Sequence, residues 1–337
     1  MIKGSNYPKK LTHANIIVRV SFFILGKIMS VNAQLTDRER VELTKKTYDE
    51  LQLGDTIKID QHYLGTVCRN VYAKDGMRAF VISSPNEITI LFKGSYGFKK
   101  GTPQTWRDEW IKTNLPILKA LLARKRTIPS QLKSAAHLLN QTINQFQGRR
   151  IYIYGHSLGS INAQFALANC RHPEAIAAAY LYEGTNIWLL LTPAERRQVA
   201  KMREKIFNYV DIYDPVTLGI TETHHMVGKL CYVDSEPMQP IKQHMWGGYN
   251  FNADGSLKLR KVDQAFLAES RSERKLLARS GDLADFLEKM GSAEEVKKLA
   301  TDKIEQLVQR YPDHKSLAKL AALFEGERND KLSHRKK

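Results

Sequence analysis

A short strand, a turn of small residues and a helix, at residues 149–169, form the feature that most constrains the fold of this chain. Ile151 and the isoleucine and tyrosine residues around it make an apolar, β-branched and aromatic run that is typical of a strand. Residues 163–168 continue at the apolar spacing of a helix. Between them lies Gly-His-Ser-Leu-Gly, which begins at Gly155. We therefore predict a sharp strand-to-helix turn with Ser157 at its tip.

Such a turn brings together the backbone two residues before the serine and two residues after it. Only small side chains permit that approach, and Gly155 and Gly159 occupy the two positions. In this context the pattern Gly-x-Ser-x-Gly is a nucleophile elbow. The N-terminus of the helix and the amide of Leu158 would face an oxygen that gains negative charge. Ser157 is therefore the candidate nucleophile, with its hydroxyl expected to be exposed.

A serine hydroxyl is a weak nucleophile until a histidine takes its proton, and that histidine needs a carboxylate to fix its tautomer. In chains with this elbow the acid precedes the base, and both follow the serine. Asp214 directly follows a predicted strand at 207–213, whereas Asp211 lies within that strand. Placement at the carboxyl end of a strand favours Asp214 as the acid.

Three histidines follow the candidate acid, at His224, His225 and His244. The first two precede the last predicted strand, at 227–233. His244 comes after that strand, in a loop whose glycines allow it to return over the edge of the sheet. Topology therefore favours His244 as the base, and we expect the other two to be loop or strand-edge residues.

Predicted strands alternate with predicted helices through most of the chain. Besides the elbow, the strands are 79–83, 87–94, 175–183, 207–213 and 227–233, and the helices are 35–54, 128–147 and 193–206. This alternation implies a mostly parallel sheet with helices on both faces, and a site at the carboxyl ends of the strands. It is the pattern of the α/β-hydrolase fold.

Five motifs give the chain a resemblance to the class 3 lipases, a branch of the α/β-hydrolases, over residues 75–255. They are Phe92-Lys93-Gly94-Ser95, Trp110, Gly155-His156-Ser157-Leu158-Gly159, Asp214-Pro215-Val216 and His225-Met226-Val227-Gly228. The last motif is similar to a non-catalytic histidine segment that opens the final strand of that family, which again leaves His244 as the base. The chain departs from the family pattern in Lys93, where an arginine is usual, and in Ser160, where a third glycine is common.

The resemblance also implies where an oxyanion would be stabilised. Ser95 would supply a backbone amide, together with its hydroxyl, beside the amide of Leu158. Neither a cofactor nor a metal ion is needed by a serine hydrolase of this kind.

Charge and cysteine content narrow the classes of function. The chain has 52 Lys and Arg against 35 Asp and Glu, a formal net charge of +17. No basic motif interleaved with aromatic residues and no zinc-ligand spacing supports nucleic-acid binding. An anionic membrane surface, or simply a basic proteome, explains the charge instead.

The three cysteines are few, odd in number and far apart, so we expect buried, unpaired side chains rather than disulfides or a metal site. Oligomeric state is not indicated.

The predicted hydrolase domain covers residues 29–258. Two further segments lie outside this domain, and a third lies within it. Residues 1–28 have five basic and no acidic residues, and either precede a true start at Met29 or form a weak signal or anchor segment. The first case predicts a cytoplasmic protein, and the second an exported or membrane-associated one. Residues 259–337 are predicted to be a basic helical extension. Residues 96–115, with two tryptophans, form either a mobile cover over the site or part of the core.

The combined prediction is a serine-dependent carboxylic ester hydrolase of the lipase or esterase type. Its substrate would be a lipid or another acyl ester, with phospholipid included, and its triad would be Ser157, Asp214 and His244. Two alternatives are acyl transfer with the same residues and a non-catalytic protein that binds a membrane or a partner through a hydrolase scaffold. A complete and correctly ordered triad disfavours the scaffold.

Overall fold

The protein, described by a computed structural model, is built on an eight-stranded sheet. The structure describes residues 30–95, 128–214, 216–217, 224–264, 266–268 and 309. The strands are β1 (Thr56–Ile59), β2 (His62–Tyr72), β3 (Arg78–Ser83), β4 (Glu87–Phe92), β5 (Arg150–His156), β6 (Ile176–Tyr182), β7 (Ile206–Val210) and β8 (Lys229–Tyr232). The helices are α1 (Val31–Gln34), α2 (Asp37–Lys45), α3 (Ser130–Gln145), α4 (Leu158–Ala168), α5 (Pro193–Lys201) and α6 (Pro240–His244).

The type of strand pairing changes once across the sheet, from antiparallel to parallel, and neighbouring strands are also consecutive in the chain. Strands β1 to β4 pair in antiparallel fashion, and β4 to β8 pair in parallel. Parallel neighbours need a crossover, and α3, α4 and α5 lie in the three crossovers from β4 to β7. The carboxyl ends of β4 to β8 therefore meet at one edge of the sheet, where Ser95, Ser157 and Asp211 follow their strands.

The sheet buries a separate hydrophobic cluster on each face, because side chains alternate along a strand. On β5, Ile151 and Ile153 pack into the cluster that contains α3 and α4. Tyr152 and Tyr154 pack into the other cluster, with residues of α2 and of the chain after β8. Helices thus cover both faces of the mixed, largely parallel sheet, and the predicted α/β-hydrolase fold is confirmed.

Within the described residues, each strand and helix predicted before residue 259 is found, with different ends. Helix α2 is shorter than predicted and begins after Thr36, whose side chain forms a capping box with Glu39. Strand β7 ends at Val210. Asp211 therefore follows the strand, whereas the prediction placed it inside. Strands β1 and β2 were not predicted. Cys68 is exposed rather than buried, because the β2–β3 register shifts around it.

Some predictions fall on parts of the chain that the structure does not describe. Residues 1–28, the proposed cover at 96–115 and most of the predicted extension at 259–337 lie outside the described residues. Within the residues that are described, no helix combines the length and the apolar character needed to cross a membrane.

The start of the described chain is held to the sheet by buried hydrogen bonds. Asn32 is fully buried, and its side-chain nitrogen donates to Glu87 Oε2 at 2.8 Å and to Thr89 Oγ1 at 3.0 Å. Its side-chain oxygen accepts from the Tyr154 hydroxyl at 2.9 Å. Ser30 donates to the Tyr152 hydroxyl at 2.5 Å. Residues 30–34 are therefore an integral part of the folded domain.

We predict that Asn32→Ala lowers the free energy of unfolding by about 3 kcal/mol, because the change leaves buried partners, one of them a carboxylate, without their hydrogen bonds. Chemical denaturation of the purified variant measures this loss. Gln52→Ala is the control, since Gln52 is exposed, and should change stability by less than about 0.5 kcal/mol. Equal stability of the Asn32 variant and wild type would show that the segment is not held as described.

Candidate active site

Ser157 lies at the turn between β5 and α4, with its backbone at φ 55° and ψ −126°. Few residues other than glycine adopt a positive φ, and such strain is found where the surrounding structure enforces it. The Ser157 amide donates to the Tyr182 carbonyl at 2.9 Å, which ties the turn to β6. The turn therefore has the strained strand-to-helix geometry of a nucleophile elbow.

The two glycines of the elbow allow close backbone contacts. A Cβ atom added to Gly155 would lie 2.5 Å from the Gly159 carbonyl oxygen. A Cβ atom added to Gly159 would lie 2.1 Å from the Phe92 carbonyl oxygen and 3.0 Å from the Lys93 carbonyl carbon. The first contact closes the turn, and the second packs α4 against the end of β4.

We predict that Gly159→Ala lowers the free energy of unfolding by about 3 kcal/mol or more, because the added methyl group meets backbone atoms that cannot move aside. Gly54→Ala is a control, since a Cβ atom there meets nothing within 4 Å and only the φ of 92° is unfavourable. That variant should lose about 1 kcal/mol. Denaturation curves that rank the two variants in the opposite order would contradict the packing described here.

The Ser157 side chain is buried, which corrects the expectation that it is exposed. The residue has 0% of its surface exposed. Its Oγ atom has no hydrogen-bond partner within the described part of the chain. A buried polar atom without a partner is uncommon in folded proteins and is often found where a group is kept for chemistry.

Asp214 and His244 form a buried pair, with Asp214 Oδ2 at 2.7 Å from His244 Nδ1. Both side chains are 0% exposed. Asp214 lies four residues beyond the end of β7, and its Oδ1 accepts from the Val216 amide at 2.9 Å. His244 is the last residue of α6, whereas the prediction placed it in a loop. The Asp214 carboxylate can only accept a hydrogen bond, so Nδ1 of His244 carries the proton that it donates. Nε2 is therefore the basic nitrogen.

Asp211 and the two other histidines do not take part in this pair. The Asp211 carboxylate instead accepts from Ser235 Oγ at 2.5 Å and from the Tyr213 amide at 2.8 Å. His224 and His225 are both exposed.

The segment after β4 lies against the elbow. A Cβ atom on Gly94 would be 2.9 Å from the His156 carbonyl oxygen, and Gly159 approaches Phe92 as described above. Ser95 and Leu158 are both buried, and Ser95 Oγ has no partner among the described residues. The structure therefore brings the chain at Ser95 close to the elbow that contains Leu158.

His156 links the elbow to the candidate base, which was not predicted. Its Nε2 is 2.8 Å from the His244 carbonyl oxygen, and the centroids of the two rings are 4.6 Å apart. Its Nδ1 is hydrogen-bonded to the Tyr48 hydroxyl, and its ring packs on Trp246 with centroids 3.9 Å apart. Burial and the nearby His244 lower the pKa of His156 well below its usual value. A neutral His156 therefore links the elbow, at the residue before Ser157, to the chain at His244.

A buried carboxyl cluster surrounds the acid turn. Glu183 follows β6 with φ 49°, accepts from the Asp211 amide at 3.0 Å and accepts from the Tyr249 hydroxyl. Burial, and then the charges of Asp214 and Asp211, raise the pKa of Glu183 well above its usual value. Burial likewise raises the pKa of Asp211. Burial and the two neighbouring carboxyl groups thus both act against the charged form of Glu183. Within the described residues, no group of three or more His, Cys, Asp or Glu side chains could hold a metal ion.

Comparisons with known proteins find similarity among solved structures only. No family model and no curated protein matches the chain. The chain is similar to a Rhizomucor miehei lipase solved in a propeptide complex, with 15% identity, a TM-score of 0.38, and coverage of 58% of this chain and 66% of that one. A triacylglycerol lipase from Penicillium expansum has 14% identity and a TM-score of 0.38, with 59% and 79% covered. The Lip2 lipase of Yarrowia lipolytica has 11% identity and a TM-score of 0.35, with 60% and 79% covered. The matched region is thus slightly under two thirds of the Rhizomucor chain.

Proposed function

We propose that this protein is a serine-dependent carboxylic ester hydrolase. The observation that carries the proposal is the buried Asp214–His244 pair at 2.7 Å. The elbow serine, Ser157, is buried as well, and its hydroxyl has no partner among the described residues. His156 joins the two parts, since it precedes Ser157 in the chain and contacts His244 through both its ring and a hydrogen bond. These contacts support a triad in which Ser157, His244 and Asp214 act together at the carboxyl edge of the sheet.

In the proposed reaction, Ser157 Oγ bonds to the carbonyl carbon of the ester while His244 Nε2 takes the serine proton. Asp214 stabilises the imidazolium that forms and holds its Nδ1–H. The bond to the alkoxy oxygen then breaks, and His244 returns the proton to the leaving alcohol. Water attacks the acyl-enzyme by the same proton path and releases the carboxylic acid.

The negative oxygen of each tetrahedral intermediate would be stabilised by the backbone amides of Leu158 and Ser95, with the Ser95 hydroxyl as a further donor. Three observations support this part of the proposal: Leu158 begins α4, the segment after β4 packs on the elbow, and Ser95 Oγ lacks a partner in the described chain. Donors that are fixed before the reaction starts stabilise such charge with little reorganisation.

The proposed substrates are lipids or other acyl esters, and phospholipids are included. The net charge of +17 would favour an anionic lipid surface. The residue types of the triad do not distinguish water from an alcohol as the acyl acceptor, so transfer must be measured alongside hydrolysis.

The proposal is tested with p-nitrophenyl esters of short and long acyl chains and with vesicles of anionic or zwitterionic phospholipid. We expect release of free carboxylic acid from at least one of these substrates, and the preferred chain length identifies the substrate class. A simple alcohol added to the same assay traps the acyl group if the protein is a transferase. Rates equal to the buffer control on every substrate would contradict the proposal and favour the non-catalytic scaffold.

A further inference from the structure

We propose that Asp211 is a positioning residue that fixes the turn bearing Asp214 relative to the helix bearing His244. The inference rests on the proposed hydrolase function and deepens it, because Asp211 would act on the reaction only through the acid and the base. It has no role in the triad, and its side chain is fully buried.

The first half of the argument is the contact of Asp211 with the acid turn. Its carbonyl oxygen accepts from the Asp214 amide at 3.1 Å and from Thr217 Oγ1 at 3.2 Å. Its Oδ1 accepts from the Tyr213 amide at 2.8 Å, which is the local bond by which an aspartate shapes a turn. Asp211 therefore sets the path of the chain that presents Asp214.

The second half is the contact of the same side chain with the base. Asp211 Oδ2 accepts from Gln243 Nε2, and Gln243 directly precedes His244 in α6. Gln243 is also fully buried, and its Oε1 accepts from the Met238 amide at 2.7 Å. This amide therefore has a fixed orientation, with its nitrogen toward Asp211. One carboxylate thus bonds both to the acid turn and to the residue before the base.

Two further groups hold Asp211 itself. Ser235 lies in the chain after β8, and its Oγ donates to Asp211 Oδ1 at 2.5 Å. Glu183 lies in the chain after β6, and its Oε2 accepts from the Asp211 amide at 3.0 Å. The Tyr249 hydroxyl donates to the other oxygen of Glu183. The position of Asp211 is therefore determined by three loops at the carboxyl edge of the sheet. A misplacement of about 1 Å between catalytic groups can lower turnover on the order of a hundred-fold, so such positioning has a measurable effect.

The test begins with Asp211→Asn, which preserves shape but puts an amide nitrogen against a donor in either orientation. One orientation opposes Gln243 Nε2, and the other opposes the Tyr213 amide. We expect kcat for ester hydrolysis to fall by about a hundred-fold with little change in KM, because alignment is lost and substrate binding is not. The double variant Asp211→Asn with Gln243→Glu exchanges donor and acceptor at the same contact and keeps the net charge. It should recover most of the lost kcat.

Asn32→Ala is the matched control for stability, because Asn32 is as buried as Asp211 and bonds to another part of the sheet. It should lose stability without losing kcat per folded molecule. If Asp211→Asn does not fold, Gln243→Ala leaves Asp211 in place, removes its link to the helix of His244 together with the contact to the Met238 amide, and should show the same fall in kcat. Wild-type kcat in the folded Asp211 or Gln243 variant would overturn the inference while the proposed function stands. A loss that merely follows the unfolded fraction, or a double variant without recovery, would also overturn it. Absence of hydrolysis by wild type would instead count against the proposed function.

Discussion

Ser157→Ala is expected to abolish ester hydrolysis, with turnover reduced on the order of a million-fold. The reason is chemical, because the change removes the only atom that the proposed mechanism bonds to the acyl carbon. Folding should be unaffected, since the lost Oγ atom has no hydrogen-bond partner among the described residues and alanine fits the same space. Turnover is measured on the ester that wild type cleaves fastest, beside a denaturation curve for each protein.

Ser160→Ala is the matched control for this experiment. Ser160 is also fully buried and lies one helical turn from Ser157, and its Oγ accepts a long bond of 3.5 Å from Gln164 Nε2. Its variant should keep turnover near that of wild type. If Ser157→Ala retained wild-type turnover, the nucleophile would have to be another residue.

The second large effect is expected for His244→Ala, which should lower turnover by about as much as the serine change. Without the imidazole, nothing takes the proton from Ser157 or returns it to the leaving alcohol. The double variant Ser157→Ala with His244→Ala should be no worse than either single variant, because residues of one catalytic unit are non-additive. Turnover of all three variants on one ester measures this.

His225→Ala is the control for the histidine, because His225 is exposed and Nδ1 of His244, not of His225, is bonded to Asp214. We expect turnover within a few-fold of wild type. An inactive His225 variant together with an active His244 variant would show that the base precedes β8 in the chain, and that the assignment of His244 is wrong.

The elbow and most of the sheet could be predicted because their signals are local. The apolar run before Gly155 and the helical spacing after Gly159 specify a strand and a helix within about twenty residues. Strand β2 was missed because its exposed and buried residues do not alternate regularly, and the register shift next to Cys68 is the structural cause. Strand β1 is only four residues long, which leaves little pattern to detect.

The pair Asp214 and His244 could be proposed from chain order and strand ends, and the structure places the two side chains in contact. Their supporting residues could not be found in that way. His156 reaches Tyr48 across 108 positions in sequence, and Glu183 reaches Tyr249 across 66. Such contacts depend on which strands are neighbours and on how loops return over the sheet, and no short pattern records them.

The most direct test of the central claim is mass spectrometry of the protein after reaction with a fluorophosphonate. These reagents bond to a serine only when a neighbouring base activates it, so they report the assembled site rather than the residue type. We expect one adduct for each protein molecule, on the peptide that contains Ser157, and no adduct after His244→Ala. An adduct on a different residue, or hydrolysis of esters by a protein that remains unlabelled at Ser157, would contradict the account.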